Sequence, residues 1–321
     1  MSDIDEITNI KQELENTNEL CQEYVVQIAN LNTQINIVQE ELIEANEQIE
    51  DMQCKIDKYV LKFDKRICKH ITFFYTEKSK DERLGYINRI IDEVHKYRYT
   101  TDVFIHTNVD FSKDILHKNM NGYMYIIVHD LTGENPFKLA WKCRDLLKKQ
   151  RDEYDIFMYV EDDILVYNDA LEYWFENKDK LIRNGFNLGF TRIEIDENGV
   201  EYSTDFREKL SNSLVEIEGT LYLINNRFPY CGFWVYDKPE LNKWIDTELF
   251  NPENILGYDI REQSAVGLHG LCSYWYKTTV FPYINHNLHS KCKIHHMSNS
   301  YLHNVDMPNA KIPFQTCIHF G

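Results

Sequence analysis

The chain has 321 residues, of which 43% are hydrophobic and 13% aromatic, and a net charge of −17 at neutral pH. This is enough apolar material for one large packed domain or two modest ones, and the charge argues against a general nucleic-acid binder, which needs a basic footprint. No apolar run reaches membrane-spanning length, and the acidic start MSDIDEITNIKQ has no apolar region of signal-peptide type. Eight cysteines without a C-x-x-C spacing predict reduced thiols and a cytoplasmic location rather than a zinc or redox motif.

Residues 1–66 contain no Gly, Pro or Trp. Apolar or tolerable residues recur there at alternating steps of three and four. One seam position holds Ile7, Leu14, Cys21, Ile28, Ile35, Leu42, Ile49, Ile56 and Phe63. The other holds Ile10, Thr17, Tyr24, Leu31, Val38, Ala45, Met52 and Tyr59. A heptad seam of this length predicts a coiled-coil helix, about 85 Å long at the rise of an α-helix. A narrow stripe needs a partner, so the segment is predicted to be a homo-oligomerising stalk. β-branched residues at the first seam position favour a dimer, and the uneven second position leaves a trimer open. The competing reading is a helix folded back on its own head. With 15 acids against 6 bases, residues 1–66 carry −9 of the net charge.

From Ile71 the pattern changes, and residues 67–321 are predicted to form the head. ITFFYTE is a short strand-forming run, followed by the helical ERLGYINRIIDEVHKYR. TDVFIHTN and YMYIIVHD are the next strands. PFKLAWKCRDLLKKQRDEY reads as a helix opened by Pro136, and DIFMYV as a further strand. Strands alternating with helices predict an α/β fold around a parallel sheet covered on both faces. Ligands of such sheets sit at the carboxyl ends of the strands. That is where Glu161, Asp162 and Asp163 fall, directly after an apolar run. Adjacent carboxylates there can hold Mn²⁺ or Mg²⁺ together with phosphate oxygens. Asp162 and Asp163 should point to different sides, since side chains alternate along an extended chain. The bland reading is a solvated strand exit.

YVEDDILV resembles the DXD-type motif of GT-A glycosyltransferases, in its EDD form. The opening strand–helix–strand block, the helix PFKLAWKCRDLL before the motif strand and FPYCGFWVYDKPELNKWI are similar to the organisation of that family over roughly residues 70–305. The resemblance implies a GT-A, Rossmann-like mixed sheet flanked by helices. It implies a metal-dependent transferase that uses a nucleotide-sugar donor, UDP-sugar first, and a glycan or protein acceptor. It gives Asp163 as a direct metal ligand, Asp162 as a contact to metal and ribose, and Glu161 as a residue that positions the nucleotide. The third ligand would come from KCKIHHMSNSY. His295 and His296 are adjacent and point different ways, so at most one of them reaches the metal.

An inverting transferase also needs a general base for the acceptor hydroxyl. In GYDIREQSAVGLHG, DIREQSAVGL reads as a helix with Asp259 and Glu262 on one face. Glu262 is the first choice and Asp259 the second, and ordinary N-terminal helix charge explains both acids equally well. Arg83, Lys138, Lys142, Arg144 and Lys291 are candidate cations for the diphosphate, with Arg83 and Lys142 preferred. Trp234 and Tyr230 are candidates for acceptor contact. Two other classes compete: a nucleotidyl- or phosphotransferase, for which the chain has no G-x-x-x-x-G-K-[ST] or G-x-G-x-x-G loop, and an inactive head on a structural coiled coil. The Ile, Asn and Lys usage hints at an AT-rich genome such as that of a large DNA virus, which would place the enzyme in the host cytoplasm.

Overall fold

The structure is a computed structural model and describes residues 3–60, 65–118, 120–211, 213–225, 230–266 and 277–319. The chain divides into two compact units, Met1–Val60 and Leu61–Gly321. The first is one α-helix, α1 (Asp3–Val60). The absence of helix breakers lets it run unbroken over 58 residues. Its seam residues are solvent-exposed: Ile28 at 57%, Ile35 at 53% and Leu42 at 60%. Thr17, the polar member of the seam, donates its hydroxyl to the Glu13 carbonyl at 2.7 Å. The side chains of Ile56, Tyr59 and Phe63 lie outside the described residues. Arg66, the last residue of the predicted stalk, opens the first strand.

The second unit is α/β. In chain order its elements begin with β1 (Arg66–Phe73), α2 (Lys80–Val94), β2 (Thr100–Thr107), β3 (Met124–Val128), α3 (Cys143–Gln150), β4 (Ile156–Glu161), β5 (Ile164–Leu165) and α4 (Asn168–Arg183). Short strands follow: β6 (Phe186–Leu188), β7 (Thr191–Ile195), β8 (Glu201–Ser203), β9 (Leu210–Ser211), β10 (Leu214–Ile217) and β11 (Thr220–Ile224). The unit closes with β12 (Phe233–Asp237), α5 (Lys238–Ile245), α6 (Ile260–Ala265), β13 (Thr278–Ile284), β14 (Asn287–Leu288), β15 (Lys293–His296), β16 (Ile312–Pro313) and β17 (Ile318–His319).

The main sheet has the order β12-β4-β1-β2-β3. β1 to β4 are parallel and β12 is antiparallel to β4, so the sheet is mixed and has an antiparallel edge. All six residues of β4 are buried, as a strand covered on both faces requires. Alternate residues serve opposite cores. Ile156, Met158 and Val160 pack with Ile87, Ile90, Ile91 and Val94 of α2 and with Trp174 of α4. Phe157 and Tyr159 pack with Leu147 of α3 and with Leu241 and Trp244 of α5. The α2 residues fall at i, i+3, i+4 and i+7, the spacing of a helical stripe. The long helix predicted from Pro136 is instead a 3-10 segment, Pro136–Trp141, followed by α3. The side chain of Asn135 accepts from the Phe137 N–H at 3.0 Å and so starts the segment.

Two further five-stranded sheets have the orders β10-β11-β13-β14 (with β6 on β13) and β16-β8-β7-β15-β5, and β17 pairs with β9. Through β5, the second of them meets the chain just after the acidic run. Among the described residues no helix is long and apolar enough to cross a membrane.

Candidate active site

The three acids sit in a tight turn between β4 and β5. Two backbone bonds pin that turn: Glu161 N–H to the Gly232 carbonyl at 3.0 Å and Asp162 N–H to the Thr72 carbonyl at 3.2 Å. Gly232 has φ +67°, and a Cβ there would lie 3.0 Å from Ile164 Cγ1. Glycine is therefore needed for both the conformation and the close approach.

From this turn the acids diverge. Glu161 accepts from the Tyr230 hydroxyl at 2.8 Å and lies 3.3 Å from Arg261 Nε. Both oxygens of Asp162 face Arg83 Nη1, at 2.5 and 2.7 Å. Asp163 Oδ2 is 3.6 Å from His296 Nε2, while its Oδ1 is buried with no hydrogen-bond partner among the described residues. His296 Nδ1 is 2.6 Å from Glu194 Oε1. Glu194 also accepts from the backbone N–H groups of Tyr301 and Leu302. All five of these side chains are buried. The pairing of β15 with β5 sets His296 opposite Ile164, one residue from Asp163, and Met297 N–H closes the register on the Asp163 carbonyl at 2.8 Å. Of the two adjacent histidines, His296 is thus the one that reaches the acids. His295 faces the Tyr167 hydroxyl at 3.2 Å.

The electrostatics follow from that geometry. Burial, then the charge of Asp163, raises the pKa of Asp162 against the pull of Arg83. Burial alone would also raise Asp163, but His296, Arg83 and Arg261 outweigh it and hold Asp163 below the usual carboxylate range. Burial works against a charged His296, yet its bonds to Asp163 and Glu194 push it up to about 9. Burial, with Arg89 and His296 adding to it, lowers His295 to about 4.

Two cavities adjoin the turn. The smaller, about 240 Å³, lies at the carboxyl ends of β1 and β4 and is lined by Thr72, Arg83, Leu139, Glu161, Asp162 and Arg261, among others. The larger, about 580 Å³, is lined by residues that include Arg192, Asp205, Tyr230, Glu262, Tyr301 and Asn309. Tyr230 joins them, since it lines the larger cavity and bonds Glu161 of the smaller. α6 stands at both: Arg261 faces one cavity and its chain neighbour Glu262 the other. The side chain of Trp141 holds α6 by donating to the Ile260 carbonyl at 2.6 Å, and Arg144 does so through the Ser264 carbonyl at 2.6 Å.

The predicted base helix is present but short, ending at Ala265; its predicted residues beyond Val266 lie outside the described residues. Asp259 is its N-cap and forms a reciprocal capping box with Glu262. Helix-start chemistry thus accounts for Asp259, which is exposed, while Glu262 both caps and faces the larger cavity.

Other candidates fall elsewhere. Lys142 pairs with Glu134 at 2.7 Å and Lys138 faces Glu253 at 3.5 Å, both in a separate groove. Arg144 is buried, with its guanidinium 4.0 Å from the Trp244 ring centre. Lys291 lies over Tyr173. None of these four lines the smaller cavity. Trp234 is core, stacked between Tyr159 and Tyr236, whereas Tyr230 does line the larger cavity. Sequence reading missed Arg261 and Glu194. The signal for Arg261 was its place between two acids already singled out. Glu194 lay in TRIEI, whose alternation reads as a half-solvated strand although both faces are buried at Thr191–Glu194.

Among the described residues no group of three His, Cys, Asp or Glu side chains is arranged to hold a metal. The pair Asp163 and His296, with one carboxylate oxygen buried and unpartnered, does fit a cation whose other ligands come from a bound phosphate. No protein-family model matches the chain, and no curated protein matches it.

Proposed function

We propose that the head, residues 66–321, is a metal-dependent glycosyltransferase of GT-A type. It would move a sugar from a nucleotide-diphosphate donor, UDP-sugar first, to a hydroxyl of a glycan or protein acceptor, with inversion. The observation that carries this reading is the meeting of two cavities at the acidic turn, one lined by Arg83 and Arg261 and the other by Glu262. The smaller suits a diphosphate and the larger an acceptor.

Asp163 and His296 would hold Mn²⁺ or Mg²⁺, and the bound cation would supply counter-charge for the diphosphate. Glu194 keeps the His296 ring oriented, as a carboxylate behind a ligating imidazole does. Arg83 and Arg261 add fixed positive charge where the diphosphate lies, and Glu161 holds Arg261 in place. Asp162 orients Arg83. Glu262 accepts the acceptor proton, and Asp259 fixes the start of its helix. Arg261 thus takes the place expected for Lys142. α1 assembles copies of the chain into a homo-oligomeric coiled coil, and the enzyme works in the cytoplasm, that of the host if it is virally encoded.

A thermal-shift series with Mn²⁺, UDP and UDP-sugars tests the reading. A ligand that binds only the folded state raises the melting temperature by an amount that grows with the logarithm of its concentration over its Kd, so UDP should stabilise the protein in Mn²⁺ and much less in EDTA. No shift with any nucleoside diphosphate in saturating Mn²⁺ would overturn it. Transfer of a nucleotide or phosphate instead of a sugar would favour the phosphotransferase class.

A further inference from the structure

We infer that α1 packs against α1 of a second copy of this chain in parallel and in register, with Leu20 of one helix against Val25 of the other. This deepens the oligomer proposed above and rests on it. The seam is bordered by two rows. One runs Glu, Leu, Gln, Gln, Glu, Gln from Glu13 to Gln48 in steps of seven, and the other Lys, Asn, Val, Asn, Gln, Asn from Lys11 to Asn46. Each row has a single apolar member, Leu20 or Val25, and they are 52% and 67% exposed.

In a parallel pair, each residue of the first row lies beside the residue five positions on in the partner's second row. Leu20 then meets Val25, and symmetry makes that contact twice. The remaining meetings are Glu13 with Asn18, Gln27 with Asn32, Gln34 with Gln39 and Glu41 with Asn46. No like charges oppose one another, and polar side chains meet polar ones.

An antiparallel pair sets each row against itself. At full overlap it places Leu20 beside Glu41 and Val25 beside Asn32, leaving both apolar side chains against polar ones. No antiparallel offset joins Leu20 to Leu20 and Val25 to Val25 at once. The two orientations also differ at Cys21, a seam residue that is exposed and free. Parallel register brings Cys21 to Cys21 of the second copy, whereas full antiparallel overlap sets it against Val38.

The full-length protein decides the matter in two steps. Light scattering at micromolar concentration should give the mass of two or three chains, and a single-chain mass would remove the assembly itself. Given an assembly, diamide should convert it to a disulfide-linked species whose bridged peptides both contain Cys21, and Cys21→Ser should lose that species. Leu20→Glu should weaken association several-fold. Adding Val25→Lys should recover most of the loss, because residues five apart on one helix do not face each other and the rescue must cross between chains. An assembly with neither the Cys21 bridge nor the rescue would overturn the parallel register and leave the oligomer standing.

Discussion

α1 and the acidic turn break the usual sorting of residues in opposite directions. In α1, the described isoleucines and leucines are half exposed or more. At the turn, three consecutive carboxylates and a histidine are buried to 6% exposure or less. An uncovered apolar stripe costs roughly 1.5 kcal/mol or more for each large side chain that could be buried. A buried carboxylate costs more unless something compensates for it. Arg83, Arg261, Tyr230 and His296 compensate Glu161, Asp162 and one oxygen of Asp163. Among the described residues the other oxygen of Asp163 has no hydrogen-bond partner, and the described side chains of the α1 stripe are exposed. On the function and assembly proposed above, the oxygen would meet a bound ligand and the stripe a second copy.

The strongest way to break this contrast is at Asp163. Asp163→Ala removes the unpartnered oxygen and leaves a His296–Glu194 pair that still satisfies its own charge. Transfer should become undetectable while melting of the apoprotein changes little, and the Mn²⁺-dependent shift with UDP should vanish. Unchanged turnover in saturating Mn²⁺ would mean the acids only close a strand.

On the stalk side, Ile28→Lys with Ile35→Lys places charges in the seam and leaves the sequence of the head unchanged. Light scattering should fall to the mass of one chain, and transfer per head should stay within about twofold where assembly is separate from catalysis. A large loss of activity would tie assembly to catalysis.

Within the head, Glu262→Gln keeps most of the capping geometry and removes proton acceptance. Transfer should fall by roughly 100-fold with donor binding retained. Asp259→Asn, which preserves an N-cap, should cost far less. Should the two effects be reversed, Asp259 is the base. Should both variants remain active, the base lies elsewhere, or the enzyme retains configuration, and the anomeric coupling of the product by proton NMR separates those cases.

The alternation of β1 to β4 with helices was legible because continuous apolar runs and a 3.6-residue stripe are local signals. The place of Glu161, Asp162 and Asp163 at the carboxyl end of β4 followed from it. What pairs with each acid was not legible. His296 reaches Asp163 through the pairing of β15 with β5, a strand of two residues too short to leave a periodic signature. Lys142 and Arg261 were equally plausible cations by residue type. A 3-10 segment turned the first into a separate groove, and α6 delivered the second. Trp234 looked like a sugar platform because aromatic density is the same in a core and in a binding face.

Lys69 gives the smallest and cleanest measurement. It is a third residue out of place, a lysine fully buried in β1 with its ammonium 3.0 Å from the Tyr97 hydroxyl. Burial lowers its pKa to about 7, with Glu93 pulling weakly the other way. In the unfolded chain it keeps the ordinary value of 10.5. Below about 7 both states carry the proton and Lys69 adds no pH dependence. Between about 7 and 10.5 the unfolded state binds more protons than the folded one, so stability rises with pH. The full span is equivalent to at most ~5 kcal/mol. Lys69→Met fits the same apolar surroundings, and the Tyr97 hydroxyl keeps its bond to the Val166 carbonyl at 2.8 Å. Relative to the parent, the variant should therefore be more stable at pH 7, and the difference should shrink steadily towards pH 10. Urea titrations at pH 7, 8.5 and 10 read that trend directly. Parallel curves for parent and variant would show that Lys69 keeps its charge in the fold.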